Sequence, residues 1–152
     1  MINTNYARSR DSAGFVLFDD QDRVLLVHQT YGEKKWHIPG GIQEDTESAW
    51  DTALRECKEE INIDIDPAKI ILSGMYFLPH RNAYVFIFKA LEWHGTPIPD
   101  GIEIDEVRFF DVNELPTPIE NFVVERIRDA KEMISPSVFF KNHHLNDFKI
   151  IK

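Results

Sequence analysis

Three carboxylates, Glu56, Glu59 and Glu60, fall within five residues of one another, with Arg55 directly before them. Like charges this close on a helix repel each other. A hard cation such as magnesium, which takes oxygen ligands, would offset that repulsion. Cations held this way can draw in a polyphosphate, polarise a phosphoryl oxygen and activate water. The competing explanation is that the acids form the wet side of a helix, and helical geometry separates the two. At about 100° per residue, the apolar stripe made by Ala49, Trp50, Ala53, Leu54, Cys57 and Ile61 centres near Cys57. Glu60 then lies about 60° from that centre and Glu56 about 100° away. Lys58 and Glu59 are farther round, and Arg55 is nearly opposite. A solvated face would put its acids opposite the stripe; these two sit on the border of the core. Arg55 precedes Glu59 by four residues, close enough to pair with it and keep it ionised. A salt bridge of purely structural use is the alternative for Arg55.

The elements around the acids must hold them there. Residues 36–38 lead as a strand into Pro39-Gly40-Gly41, where the glycines let a backbone carbonyl or amide come close to a ligand. Ser48 to Asp51 has the pattern of a capping box, so the helix begins there with Glu47 still in the loop. Asn62, which tolerates the left-handed conformation, ends it. Upstream, residues 13–18 and 23–28 read as an antiparallel hairpin joined by a four-residue loop. Arg8 and Arg10 precede it, within reach of a phosphate or as a solvated arm. Downstream, residues 70–78 and 84–93 read as two long strands, 94–101 as a loop and 104–111 as a further strand. Thr117-Pro118-Ile119-Glu120 predicts a helix start, with a helix running to about Met133 and burying Ile119, Phe122, Val123, Ile127 and Ala130. Cys57 is expected to be a core residue, and His28 and His37 packing residues. The segment 135–152 has no clear period. It is expected to pack on the domain, to form an edge strand or to mediate dimer contacts. Its His143-His144 pair is a poor ligand set, because neighbouring side chains on a regular element point apart.

Composition sets outer limits. The 152 residues suit a single domain spanning 1–152, with one core of ordinary size. A hydrophobic content of 43% excludes wholesale disorder. The formal net charge of −9 disfavours a broad nucleic-acid surface, though a small anionic substrate stays open because bound metal inverts the local field. One cysteine permits no internal disulfide, and a reducing compartment fits. Residues 1–12 lack the apolar core of a secretory signal, and no apolar run is long enough to span a membrane. A cytoplasmic monomer or homodimer, without membrane or nucleic-acid partners, is expected.

The segment 36–63 resembles the signature of the Nudix hydrolases: Gly, five residues, Glu, seven residues, then Arg-Glu-aliphatic-any-Glu-Glu-any-Gly-aliphatic. Gly41 is followed after five residues by Glu47, and seven residues later come Arg55, Glu56, Cys57, Lys58, Glu59, Glu60, Ile61, Asn62 and Ile63. All charged positions match. Asn62 replaces the last glycine, and Cys57 replaces a larger aliphatic residue. The likeness extends over about residues 10–133, where Phe109-Phe110-Asp111 with Glu114-Leu115 looks like the aromatic strand and turn found late in family members. The resemblance implies an α/β (α+β) fold, an α/β/α sandwich with a mixed sheet between helices. It implies hydrolysis of a nucleoside diphosphate linked to a further group X, with Mg2+ or Mn2+ as cofactor. Glu56, Glu59, Glu60 and the Gly40 carbonyl correspond to the metal ligands. Glu47 and Arg55 correspond to residues that brace the site, beside Gly41. The general base varies within the family; Glu56 is the candidate inside the signature, and Glu103 and Glu106 are the candidates outside it.

The identity of X is not written in the signature. Arg10, Tyr31, Tyr76, Phe77 and Arg81 are the residues that could touch the nucleotide, although the aromatic ones equally suit packing. Pro79 lies sixteen residues past Ile63, an offset associated with ADP-ribose-cleaving members, but the residues around it depart from the fuller motif. The short chain suits cleavage of a nucleoside triphosphate to monophosphate and pyrophosphate. The alternatives are ADP-ribose or a nucleotide sugar, a dinucleoside polyphosphate, and a nucleotide-sensing domain that kept the fold without turnover.

Overall fold

Residues 10–133 and 139–152 are described by the computed structural model. Unbroken apolar runs mark strands buried on both faces, and the first two strands are of that kind. In β1 (Ser12–Val16) and β2 (Val24–Gln29), and in Leu17 just beyond β1, alternate residues go to opposite cores. Ala13, Phe15, Leu17, Leu25 and Val27 pack with Ala53, Cys57 and Ile61 of α1 (Ala49–Ile61). Val16, Val24 and Leu26 face the other way and pack with Phe122, Val123 and Ile127 of α2 (Asn121–Glu132). The strands therefore lie between two helices, as an α/β/α sandwich requires.

The strands form two mixed sheets of five. The first has the order β4 (Gly40–Ile42), β1, β6 (Ala83–Ala90), β5 (Ile70–Leu78), β9 (Phe139–Asn142). The second has the order β10 (Ile150–Ile151), β8 (Ile119–Glu120), β3 (Trp36–His37), β2, β7 (Ile104–Phe110). The expected hairpin of residues 13–18 and 23–28 holds only at its tip. Phe18 bridges Val24, and Asp19 accepts from the amides of Gln21 and Arg23, which closes the turn. Beyond the tip the two strands separate into different sheets, because β1 is already flanked by β4 and, in parallel, by β6.

The helix carrying the acids is built as its sequence implies. Ser48 accepts from the Asp51 amide while Asp51 accepts from the Ser48 amide, a reciprocal cap. Asn62 closes the other end at φ 59°, with its amide donating to the Lys58 carbonyl. Trp50, expected on the buried face, is instead 53% exposed, and Thr52 is buried in the stripe. The second helix starts later than its cap pattern indicates. Ile119 and Glu120 pair with Ile151 and Ile150 of the returning chain, and Ile119 pairs with Trp36 in parallel, so the two residues are strand and not first turn. The C-terminal segment thus supplies an edge strand to each sheet, and a short 3-10 turn, Leu145–Phe148, passes between them. Among the described residues no helix is long and apolar enough to cross a membrane.

A non-glycine residue at positive φ is tolerated when it is Asn, whereas a plain Cβ without local polar compensation is strained there. Asn62→Ala is expected to lower the unfolding free energy by about 1 kcal/mol, and Asn62→Gly to leave it within a few tenths. Urea denaturation midpoints of the two variants check this.

Candidate active site

The acids meet where the first turn of the glycine loop touches α1. Gly41 lies against the Glu56 carboxyl so closely that an added Cβ would overlap it. Gly40 is equally constrained, since a Cβ there would stand 2.6 Å from the Ala13 carbonyl oxygen. These two positions let β4 run between β1 and the helix, and they press the backbone of Gly40 and Gly41 against the carboxylates. The Gly40 amide donates to Glu60 Oε1 at 3.4 Å.

Glu56 and Glu60 are side by side on the border of the core, as the helical periodicity implies. Glu60 is only 6% exposed. Burial, and the neighbouring Glu56, hold its carboxyl well above the usual range, and burial raises Glu56 as well. Burial and the neighbouring carboxyl push both groups the same way, so the pair resists full ionisation.

Arg55 crosses the acids from the outside. Its Nε and Nη2 donate to the two oxygens of Glu47 at 2.7 and 3.0 Å, a bidentate pair. Its Nη1 donates to Glu56 Oε1 at 2.9 Å and to Glu59 Oε2 at 3.2 Å. Arg55 holds Glu47 down at about 2, so that carboxylate stays ionised. Thr52 and the Glu44 amide also donate to Glu47, which locks the brace to the start of the helix. Glu59 is turned toward Arg55 and solvent, so among the described residues no three acids converge on one point.

Two connected hollows adjoin the acids. An outer cleft of about 730 Å3 is lined by Glu56, Glu60, Glu103, Tyr31 and the loop 40–45. An inner cavity of about 280 Å3 shares Tyr31, Gly40, Gly41 and Glu60 with it and runs inward past His37 and Arg81 to Phe122, Arg126 and Phe148. His37 donates from Nδ1 to the Ile38 carbonyl at 2.8 Å, and burial brings it down to about 4, so the ring is neutral at neutral pH with its second nitrogen as an acceptor.

The residues outside the signature divide. Glu103 lines the outer cleft; Glu106 pairs with Arg108 at 3.2 Å and lines neither hollow. Tyr31 and Arg81 line the inner cavity. Tyr76 does not stack on a ligand. It is fully buried, its hydroxyl donates to Asp129 at 2.8 Å and its ring packs on His143. Phe77 alternates to the other face of β5, against Tyr84 at 5.0 Å, away from the acids. Arg10 is exposed and lines neither hollow, and Arg8 lies outside the described residues. The His143-His144 pair splits: His143 is buried by Tyr76, while His144 caps the 3-10 turn. Three cavity residues escape sequence reading: Arg126, Phe122 in its cavity role, and Phe148. A usable signal exists for one of them. Arg126 follows Phe122 by four residues, so it falls on the buried stripe of α2 where an arginine is out of place.

The NUDIX domain family model matches residues 8–130. The chain belongs to the Nudix family. It is similar to an 8-oxo-dGTP diphosphatase of Proteus vulgaris, 34% identical over 84 residues, which are 53% of this chain and 75% of that protein. It is also similar to an ADP-ribose pyrophosphatase of Methanocaldococcus jannaschii, 30% identical over 108 residues, 66% of this chain and 61% of that one. Against the 8-oxo-dGDP phosphatase NUDT18 of Danio rerio, 34% identical over 61 residues, the chain spans 19% of that protein's length. The fold is shared with a crystal structure of a NUDIX hydrolase from Nitrosomonas europaea, at TM-score 0.67 and 26% identity over 92% of this chain and 81% of that one. Within the Nudix signature, Asn62 stands at the position usually held by glycine, and its left-handed backbone leaves the helix end as glycine would.

The raised carboxyl of Glu60 has a sign that can be measured. Its folded value lies above the reference of 4.5, so the folded protein binds the extra proton above that pH. Unfolding then releases a proton, and stability falls as pH rises. In EDTA, urea unfolding is expected to show declining stability from pH 5 upward, and Glu60→Gln is expected to flatten that decline.

Proposed function

We propose that the chain is a divalent-cation-dependent pyrophosphohydrolase that converts a nucleoside triphosphate to its monophosphate and pyrophosphate. The observation that carries this reading is the close pair of Glu56 and Glu60, set against the Gly40-Gly41 backbone at the junction of a polar cleft and an enclosed cavity. The donor set is made of oxygens only, which suits magnesium or manganese. Nudix hydrolases generally use divalent metal ions. Glu56, Glu60 and the Gly40 carbonyl would hold the ion, with Glu59 joining them by turning from Arg55. Once bound, such an ion offsets phosphate charge, polarises a phosphoryl oxygen and acidifies water.

The chain's own residues do the rest. The Arg55–Glu47 pair fixes the guanidinium, whose remaining donors orient Glu56 and Glu59. Gly40 and Gly41 bring backbone to the cleft floor where a side chain would block the phosphates. Glu103, on the cleft wall, takes the proton from the attacking water; Glu56 is the second candidate for that step. Water adds to phosphorus, the anhydride P–O bond breaks and pyrophosphate leaves, with positioning and charge stabilisation dominating.

A triphosphate is favoured by the shape of the site, a base-sized cavity opening directly on the acid cleft, and by the 8-oxo-dGTP diphosphatase, whose likeness covers three quarters of that relative. A second reading, ADP-ribose, is supported by the pyrophosphatase that matches 66% of this chain.

Pyrophosphate and phosphate release over a nucleotide panel, with and without magnesium, tests the reading. Glu59→Gln is expected to cut turnover on the order of 10²-fold or more with an unchanged melting curve. Near-normal turnover in that variant would overturn the assignment of the acids, and metal-independent binding without turnover would favour a sensing domain.

A further inference from the structure

The far end of the inner cavity is built by residues outside the Nudix signature. Arg126 is 3% exposed, and the rings of Phe122 and Tyr76 lie 4.3 and 4.9 Å from its guanidinium carbon. No carboxylate forms an ion pair with it among the described residues. The acids beside it are engaged elsewhere: Lys141 takes Glu125 at 2.9 Å and Asp129 at 2.8 Å, and the Tyr76 hydroxyl takes Asp129. Of its nitrogens, Nη2 meets His143 Nδ1 at 3.3 Å, Nε is buried without a partner, and Nη1 has no hydrogen bond among the described residues. A buried cation left in this state is costly, and it stands on the wall of a cavity.

Lys141 and His143 belong to the C-terminal segment, which lies beyond the family match at 8–130. So does Phe148, which lines the same cavity, packs on Phe122 at 4.5 Å and carries Arg81 over its ring at 5.8 Å. The segment therefore withholds the acids from Arg126, sets its orientation and adds an aromatic wall. With Leu78, Val85 and Ile87 also lining the space, the cavity suits a flat, largely apolar ring better than a phosphate. A guanidinium with its faces against rings hydrogen-bonds through its edge, and that fork matches two adjacent acceptors. Among base edges, O6 and N7 of guanine are such a pair, whereas adenine sets an amino donor beside N7.

We propose that the C-terminal segment builds a base-reading subsite, in which the edge of Arg126 donates to O6 and N7 of a guanine base lying against Phe148. His143 is a positioning residue for that edge. This rests on the nucleotide reading given above. A base seated here places its phosphates toward Gly40 and the acid cleft, since the two hollows share those residues.

Calorimetric binding of GMP and AMP to the full chain without metal tests the subsite independently of turnover. The unaltered protein is expected to prefer GMP by about five- to 150-fold. Arg126→Gln and Arg126→Lys, the second of which keeps the cation, should each abolish that preference. Phe148→Ala should weaken both nucleotides alike and keep the preference, because stacking is blind to the base edge. His143→Phe should reduce the preference without weakening AMP, which a merely structural role would not do. Melting curves identify any variant that fails to fold, and Arg126→Lys or Phe148→Ala then decides. Equal or undetectable binding of GMP and AMP by the unaltered protein, or a preference that survives Arg126→Lys, would overturn the proposal. If Arg126→Gln weakened both alike, Arg126 would be taking an anion. Triphosphate turnover without base preference would sink the subsite alone, while GMP preference without turnover would sink the hydrolase reading alone.

Discussion

Two carboxyls forced together at the edge of a core set the terms for the rest of this molecule. Glu60 is buried and Glu56 leans on it, so both cannot ionise without a positive charge between or beside them. Arg55 supplies part of that charge to Glu56 but does not reach Glu60. What keeps the pair from relaxing apart is packing. Cys57 and Ile61 are fully buried on the same helix and fix its rotation. Gly40 and Gly41 close the opposite side, where any Cβ would collide. The brace from Glu47 is anchored in turn by the cap of that helix. Electrostatic cost and close packing are thus coupled: the fold holds an arrangement that the acids alone would abandon.

The same division, core on one side and ligand space on the other, recurs at Arg126. There the surrounding rings and the returning C-terminal segment hold a cation away from counter-ions that lie close by. Both places store unfavourable electrostatics next to a hollow, and both sit at one continuous site.

Much of this was legible in the residues. The spacing from Gly41 to Glu60 defined the acid cluster, and the helical period put Glu60 near the core because Cys57, its apolar neighbours along the helix and the cap agreed on one rotation. The strands of residues 13–17 and 24–27 were legible because unbroken apolar runs admit few other structures. What stayed hidden depends on contacts between distant parts of the chain. The cap pattern at residues 117–120 is locally sound, yet Ile119 and Glu120 become a strand because Ile150 and Ile151 return to pair with them. Tyr76 and Phe77 alternate on one strand, and which of them is buried follows from α2 packing on that sheet, not from the strand itself. Trp50 shows the limit of the helical wheel: it lies at the edge of the stripe, where one more neighbour would have covered it and none does. Phe148 joins the cavity only because the C-terminal segment folds back, and nothing local announces that.

The central claim is that Glu56, Glu60 and the Gly40 carbonyl form a divalent-cation site. Anomalous diffraction at the manganese edge, from crystals grown with Mn2+, addresses it most directly. A peak bounded by those three groups is the expected result. A peak elsewhere, or none at saturating Mn2+, would contradict the site.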